Sequence, residues 1–145
     1  MKTNLENIFL IESNFSRKPL AEINIEKLFP DTNINVSTKL FEGSNHLIVN
    51  LDYRFSLHDN QKERTEYLLY KCSYQGEFQL ETAENVTNDM VDRFGSVNGA
   101  AVLFPFVRED LMDRSVKSGF QPILLPLVNF VQIFENKLKE KQQKQ

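Results

Sequence analysis

The chain has no tryptophan and a single cysteine, Cys72, so no disulfide can close within it, and it fits a reducing compartment. Its five glycines form no phosphate-cradling loop. Its two histidines, His46 and His58, fall on a strand and in the turn that follows, with no second ligand at metal-binding spacing. A net charge of −3 gives no electrostatic footprint for nucleic acid, whose binding is dominated by basic contacts to phosphate. No apolar run approaches the roughly 20 residues that cross a bilayer, so no membrane insertion is expected. The N-terminus MKTNLENIFLIESNF is too polar and acidic for a signal peptide, and the expected address is cytoplasmic.

Catalytic chemistry is equally sparse. Glu109, Asp110 and Asp113 interleave with Arg108 and Arg114 on one helical segment, which reads as a solvated, salt-linked face. Cys72 shares an apolar strand face with Leu68 and Tyr70, the setting of a small buried hydrophobe rather than an activated thiol. No catalytic residue, metal ligand or cofactor site is expected, and the chain does not read as an enzyme.

What is present is enough for one domain spanning residues 1–145. A chain this long buries roughly 70% of the surface its unfolded form exposes. Strand patterns occupy residues 1–80 and helical ones 81–138, with a polar, flexible tail over 139–145, so the class is α+β. Residues 45–57 alternate with Leu47, Val49, Leu51, Tyr53, Phe55 and Leu57 on one face. Residues 65–80 repeat the pattern, and Gly76 marks a bulge or bend there. Residues 33–41 form a weaker strand, ending in a Glu42-Gly43-Ser44-Asn45 turn. Residues 5–15 form a first strand with Phe9, Ile11 and Phe15 on one face. A long crossover, 16–32, lies between them.

A short helix is expected near residues 87–94, stopped by Gly95. A longer one follows and ends before Gly119, with Leu103, Val107 and Leu111 stacked at helical spacing. Pro105 makes its regular part begin near Phe104 or bend there. Asn129 caps a last helix, whose stripe is Phe130, Phe134 and Leu138. The aromatics of the crossover and last helix belong either to the core or to a binding surface.

One ordered series goes further. Leu103-Phe104-Pro105-Phe106-Val107-Arg108-Glu109 is followed by Gly119, Phe120, Pro122, Leu125, Pro126 and Asn129-Phe130. Upstream, Gly76 and Phe78 form a Gly-x-Phe, and Glu12 lies in the first strand. Together these resemble the SecB family of protein-export chaperones, with motif-level likeness over residues 65–138 and Pro126 one residue further from Asn129 than usual.

The resemblance implies a four-stranded antiparallel sheet with helices on one face, assembled as a dimer of dimers. It implies an ATP-independent holdase for unfolded, export-bound polypeptides, with grooves between sheet, crossover and last helix. By position the peptide-binding residues are Leu20, Leu28, Phe29, Val131 and Phe134, and the oligomer-interface residues are Phe9, Ile11, Phe104, Val107 and Leu111. The family's export partner is the SecA motor, met through acidic residues on the sheet. The matching position is Lys71 here, and the tail is rich in lysine and glutamine, so SecA coupling stays open. Other members serve one antitoxin of a toxin–antitoxin pair. A third reading is a carrier of a small apolar ligand.

Overall fold

The computed structural model describes residues 1–19, 27–60 and 65–144. Four strands, β1 (Thr3–Arg17), β2 (Phe29–Phe41), β3 (His46–His58) and β4 (Glu66–Leu80), pair antiparallel in the order β1-β4-β3-β2. The first strand therefore lies at one edge and β2 at the other. The β2–β3 turn takes its left-handed residue at Asn45, φ 56, rather than at Gly43. Asparagine tolerates that region because its short polar side chain bonds locally.

The alternation predicted for β3 and β4 is present. Leu47, Val49, Leu51, Tyr53 and Phe55 are buried with Leu68, Tyr70, Cys72, Tyr74 and Phe78. Helix α2 (Ala100–Lys117) covers them with Leu103, Phe104, Val107 and Leu111. Each fully buried leucine contributes about 1.5–3 kcal/mol. The opposite sheet face carries Asn50, Asp52, Arg54, Lys71, Ser73 and Gln75.

The bulges fall where the sequence does not put them. Gly76 sits in unbroken register between Ile8 and Val49. A Cβ on it would meet Phe78 at 3.0 Å and Leu103 at 3.3 Å, so it serves close packing. One irregularity lies in the β3–β4 pairing, between Leu57 and His58, and two lie in β1, between Leu5 and Asn7 and between Leu10 and Glu12. Each of the two in β1 adds one residue and reverses the alternation beyond it. Ile8 and Phe15 consequently pack against the core, while Phe9 pairs with Gln75 on the other face. The predicted grouping of Phe9, Ile11 and Phe15 on one face is overturned for that reason.

Gly95 does not stop a helix. Helix α1 (Asn88–Arg93) runs into a π-helical segment, Phe94–Gly99, and on into α2. A Cβ on Gly95 would lie 1.8 Å from Thr38 Cγ2, so glycine lets this segment lie directly on β2. The regular helix begins at Ala100, ahead of Pro105 rather than at it. Gly119, with φ 88, ends α2 as expected. The last helix, α3 (Phe130–Gln143), continues through most of the stretch predicted as a loose tail.

Candidate binding groove

The last helix is fixed by its start. Asn129 accepts a hydrogen bond from the Gln132 backbone N–H at 3.1 Å, the predicted cap. Phe130 is buried and meets Phe104 edge-to-face at 5.6 Å, and Phe104 meets Tyr53 at 5.9 Å. This aromatic chain ties α3 through α2 to the sheet. The loop before it is tied as well: Arg108 Nε donates to the Leu125 carbonyl at 3.0 Å, and the Ile123 N–H donates to Ser115 Oγ at 3.0 Å. Arg108 thus holds the loop rather than facing solvent in a charged row.

Held in this way, α3 runs beside β2 and α1 and leaves a groove of about 600 Å³. Val36, Ser37 and Thr38 line one wall, Asp89, Asp92 and Arg93 a second, and Phe134, Lys137, Leu138 and Lys141 a third. The Arg93 guanidinium lies 5.6 Å over the Phe134 ring, a cation–π contact that leaves the ring half-buried. A second depression of about 430 Å³ lies across the start of α3, lined by Val97, Ala101, Leu127, Phe130 and Val131. Leu124 and Leu127 beside it are 72% and 86% exposed, the barest large apolar side chains described.

Of the predicted peptide-binding residues, Phe134 lies in the groove and Val131 in the second depression. Leu28 is half-buried ahead of β2, and Leu20 is outside the described residues. Phe29 is not brought to the groove. It pairs with His58, on the sheet face opposite Val36, with ring centroids 6.2 Å apart. Seven residues of strand also separate it from Val36, about 23 Å. Val36 was missed as a groove residue, although Ile34, Val36, Thr38 and Leu40 alternate in the sequence.

The interface residues divide. Phe9 and Ile11 are exposed on the β1 edge. Phe104, Val107 and Leu111 are buried against their own sheet and have no area left to offer a second chain. A second row on α2, with Val102, Phe106, Met112 and Val116, is exposed instead. The sequence holds both rows, and only packing decides which one meets the sheet.

Electrostatics are organised around Asp110, which is not part of a solvated face. Its Oδ2 accepts from Tyr70 Oη at 2.5 Å and from Ser13 Oγ at 2.6 Å, and Arg114 approaches its other oxygen at 3.6 Å. Asp113 does pair with Lys117 at 2.9 Å on the surface, as expected. Burial pushes the Cys72 thiol up to about 11 and the Tyr53 phenol up to about 12. Burial, then the bond to Asp110, holds Tyr70 neutral far above its ordinary range. His46 and His58 lie at opposite ends of β3.

Comparison with known proteins gives a consistent picture. The family described as preprotein translocase subunit SecB matches residues 1–141. A protein-export protein SecB from Thiobacillus denitrificans is 26% identical over 143 residues, 97% of this chain and 89% of that one. Another, from Anaplasma phagocytophilum, is 31% identical over 78 residues, 54% of this chain and 49% of that one. Among solved structures, a Mycobacterium tuberculosis SecB-like chaperone in complex with an antitoxin-derived ChAD peptide superposes with a TM-score of 0.73. That likeness comes at 12% identity and covers 88% of this chain and 91% of that one, so it bears on the fold. Among the described residues, no helix is long and apolar enough to cross a membrane.

Proposed function

The chain belongs to the SecB family, and we propose that it is an ATP-independent holdase that binds non-native polypeptide segments between β2 and α3. Its relatives are export proteins and a chaperone, not enzymes. The observation that carries this reading is the groove, partly open to solvent, where Val36, Phe134 and Leu138 stay accessible to an incoming chain. An unfolded client exposes apolar side chains. Moving them from water onto such a surface gains about 25 cal/mol per Å². The contact needs no covalent step and no nucleotide. Val131, with Leu124 and Leu127, supplies a second apolar contact across the start of α3.

Several weak grooves on one assembly would raise avidity through effective concentration. The β1 edge with Phe9 and Ile11, together with the outer α2 row, is the surface for pairing two copies, and a dimer of dimers is the proposed assembly. Unfolded precursors are the proposed clients, and the cytoplasm the proposed compartment.

The second reading is a chaperone dedicated to one partner, such as an antitoxin. Lys71, exposed on the open sheet face opposite Arg54, favours it, because a basic residue there weakens docking to a motor met through acidic groups.

The test is suppression of aggregation of a chemically denatured client, without nucleotide. Phe134→Asp should raise the chaperone concentration needed for half-suppression about tenfold, since it sets a charge into an apolar contact. Phe29→Asp, on the opposite face, should change it by less than about twofold. Equal effects of the two substitutions would remove the groove from this role. Co-purification separates the two readings, since many precursors mark a general holdase and one protein marks a dedicated one.

A further inference from the structure

Resting on that function, we propose that Ser115 is a positioning residue for client binding, fixing the proline-rich loop between α2 and α3 so that Leu124 and Leu127 stand outward. Ser115 occupies the next four-residue step of the buried row Leu103, Val107 and Leu111, and it is itself wholly buried. A polar side chain in a core row is costly unless it is hydrogen-bonded. Ser115 meets that demand largely by binding the loop. Its Oγ donates to the Met112 carbonyl at 2.8 Å and accepts from the Ile123 N–H at 3.0 Å. Its carbonyl accepts from the Phe120 N–H at 3.0 Å and from the Ser118 hydroxyl at 2.8 Å.

Further ties complete the arrangement. Arg108 Nε donates to the Leu125 carbonyl at 3.0 Å. From the end of β1, the Arg17 guanidinium donates to the Ser118 carbonyl and lies 4.5 Å over the Phe120 ring. Pro122 and Pro126 have fixed φ and favour extended backbone at the residues before them, Gln121 and Leu125. The bonds fall on Ile123 and Leu125, which pack against the core. Leu124, between them, and Leu127, beyond them, are left facing outward. Leu127 lines the depression with Val131, so the outward pair is continuous with the second client contact.

Holding an apolar pair in place lowers the entropy lost when a client covers it. A loose loop would present the leucines in many arrangements, and binding would weaken by the fraction of time spent in the right one. Alanine has a higher helix propensity than serine, so α2 itself tolerates the change at 115. What the change removes is the hydroxyl that holds the Ile123 N–H.

Hydrogen exchange and fluorescence anisotropy on the full chain test this, with a labelled peptide of leucine, phenylalanine and serine as the probe. Ser115→Ala should speed exchange of the Ile123 amide about tenfold while amides at the centre of β3 stay unchanged. It should weaken peptide binding about threefold. Leu124→Ser with Leu127→Ser should weaken binding about fivefold. Ser115→Ala added to that pair should change it by less than about 1.5-fold, since the loop then has no leucines to position. An equal loss in both backgrounds overturns the proposal, because Ser115 then does not act through the leucines. Unchanged exchange at Ile123 overturns it. Exchange that rises equally throughout the sheet also overturns it and assigns Ser115 to overall stability. Intact peptide binding by the leucine variant, with light scattering showing smaller species, overturns it and assigns the pair to contact between copies. Failure of the unaltered protein to bind the peptide overturns the holdase reading and the proposal with it, whereas normal binding by both the unaltered protein and Ser115→Ala overturns the proposal alone.

Discussion

The Tyr70 hydroxyl donates to Asp110 Oδ2 at 2.5 Å, joining the centre of the sheet to the helix that covers it. Ser13, on the edge strand, donates to the same oxygen at 2.6 Å. One carboxylate thus holds β1, β4 and α2 in fixed relation. Hydrogen bonds to a charged group are worth about 1.5–3 kcal/mol, and an unmade bond at a buried group costs a similar amount. Tyr70→Phe should therefore lower the unfolding free energy by about 2 kcal/mol. Asp110→Ala should cost more, since it strands two hydroxyls, and the two effects should be non-additive in a double-mutant cycle. Urea denaturation measures both.

Gly95 offers a test of close packing. Its α-hydrogen side faces Thr38 Cγ2, and a methyl group there would sit 1.8 Å away. Gly95→Ala should destabilise by about 1–3 kcal/mol through overpacking. Thr38→Ser removes the obstructing methyl, leaving Thr38 Cβ at 3.2 Å from the new group. The double variant should recover most of the loss. A loss that Thr38→Ser does not relieve would place the cause elsewhere.

Alkaline pH should weaken the fold. Cys72 titrates near 9.0 when unfolded and near 11 when folded, and Tyr53 moves from 10.0 to about 12. Each group has a raised folded value, so above its ordinary pKa the unfolded chain binds fewer protons. The stabilisation is fully present below pH 9.0 and declines as pH rises toward about 11 and 12. Tyr70 acts in the same direction. Urea midpoints should fall steadily through this window. Cys72→Ala should flatten the first part of the fall, even though the cavity it leaves lowers stability throughout.

The two rows of α2 should respond differently. Leu111→Ala empties a fully buried site and should cost about 2–5 kcal/mol. Val116→Ser on the outer row, or Ile11→Ser on the β1 edge, should shift the assembly toward smaller species, since both side chains are more than half exposed. The monomer's stability should change by less than about 0.5 kcal/mol. Light scattering after size exclusion, read beside thermal melts, separates the two effects. An assembly insensitive to both outer substitutions would exclude this surface from pairing.

Much of the architecture is local and therefore legible. The period of two in β3 and β4 follows from the pleat, so the residues themselves state which face is buried. Asn129 and Gly119 mark helix ends because capping and left-handed geometry depend on a few neighbouring atoms. The ordered series from Leu103 to Phe130 also carried the family, and residues in it have structural work. Phe104 and Phe130 join α2 to α3, and Arg108 holds the loop between them.

What the sequence determined by itself was the α+β class, the buried faces of the central strands, the cap of α3 and the family. The tertiary structure decided which side of β1 faces the core, because a bulge reverses parity only once a partner strand defines the register. It decided that the Leu103 row of α2 is core and the Phe106 row surface, because a helix with two apolar rows has no preferred face until a sheet meets one. It also parted Phe29 from Phe134 and set Val36 beside Phe134. A groove is a relation between elements distant in sequence, and no local pattern of residues encodes the distance between them.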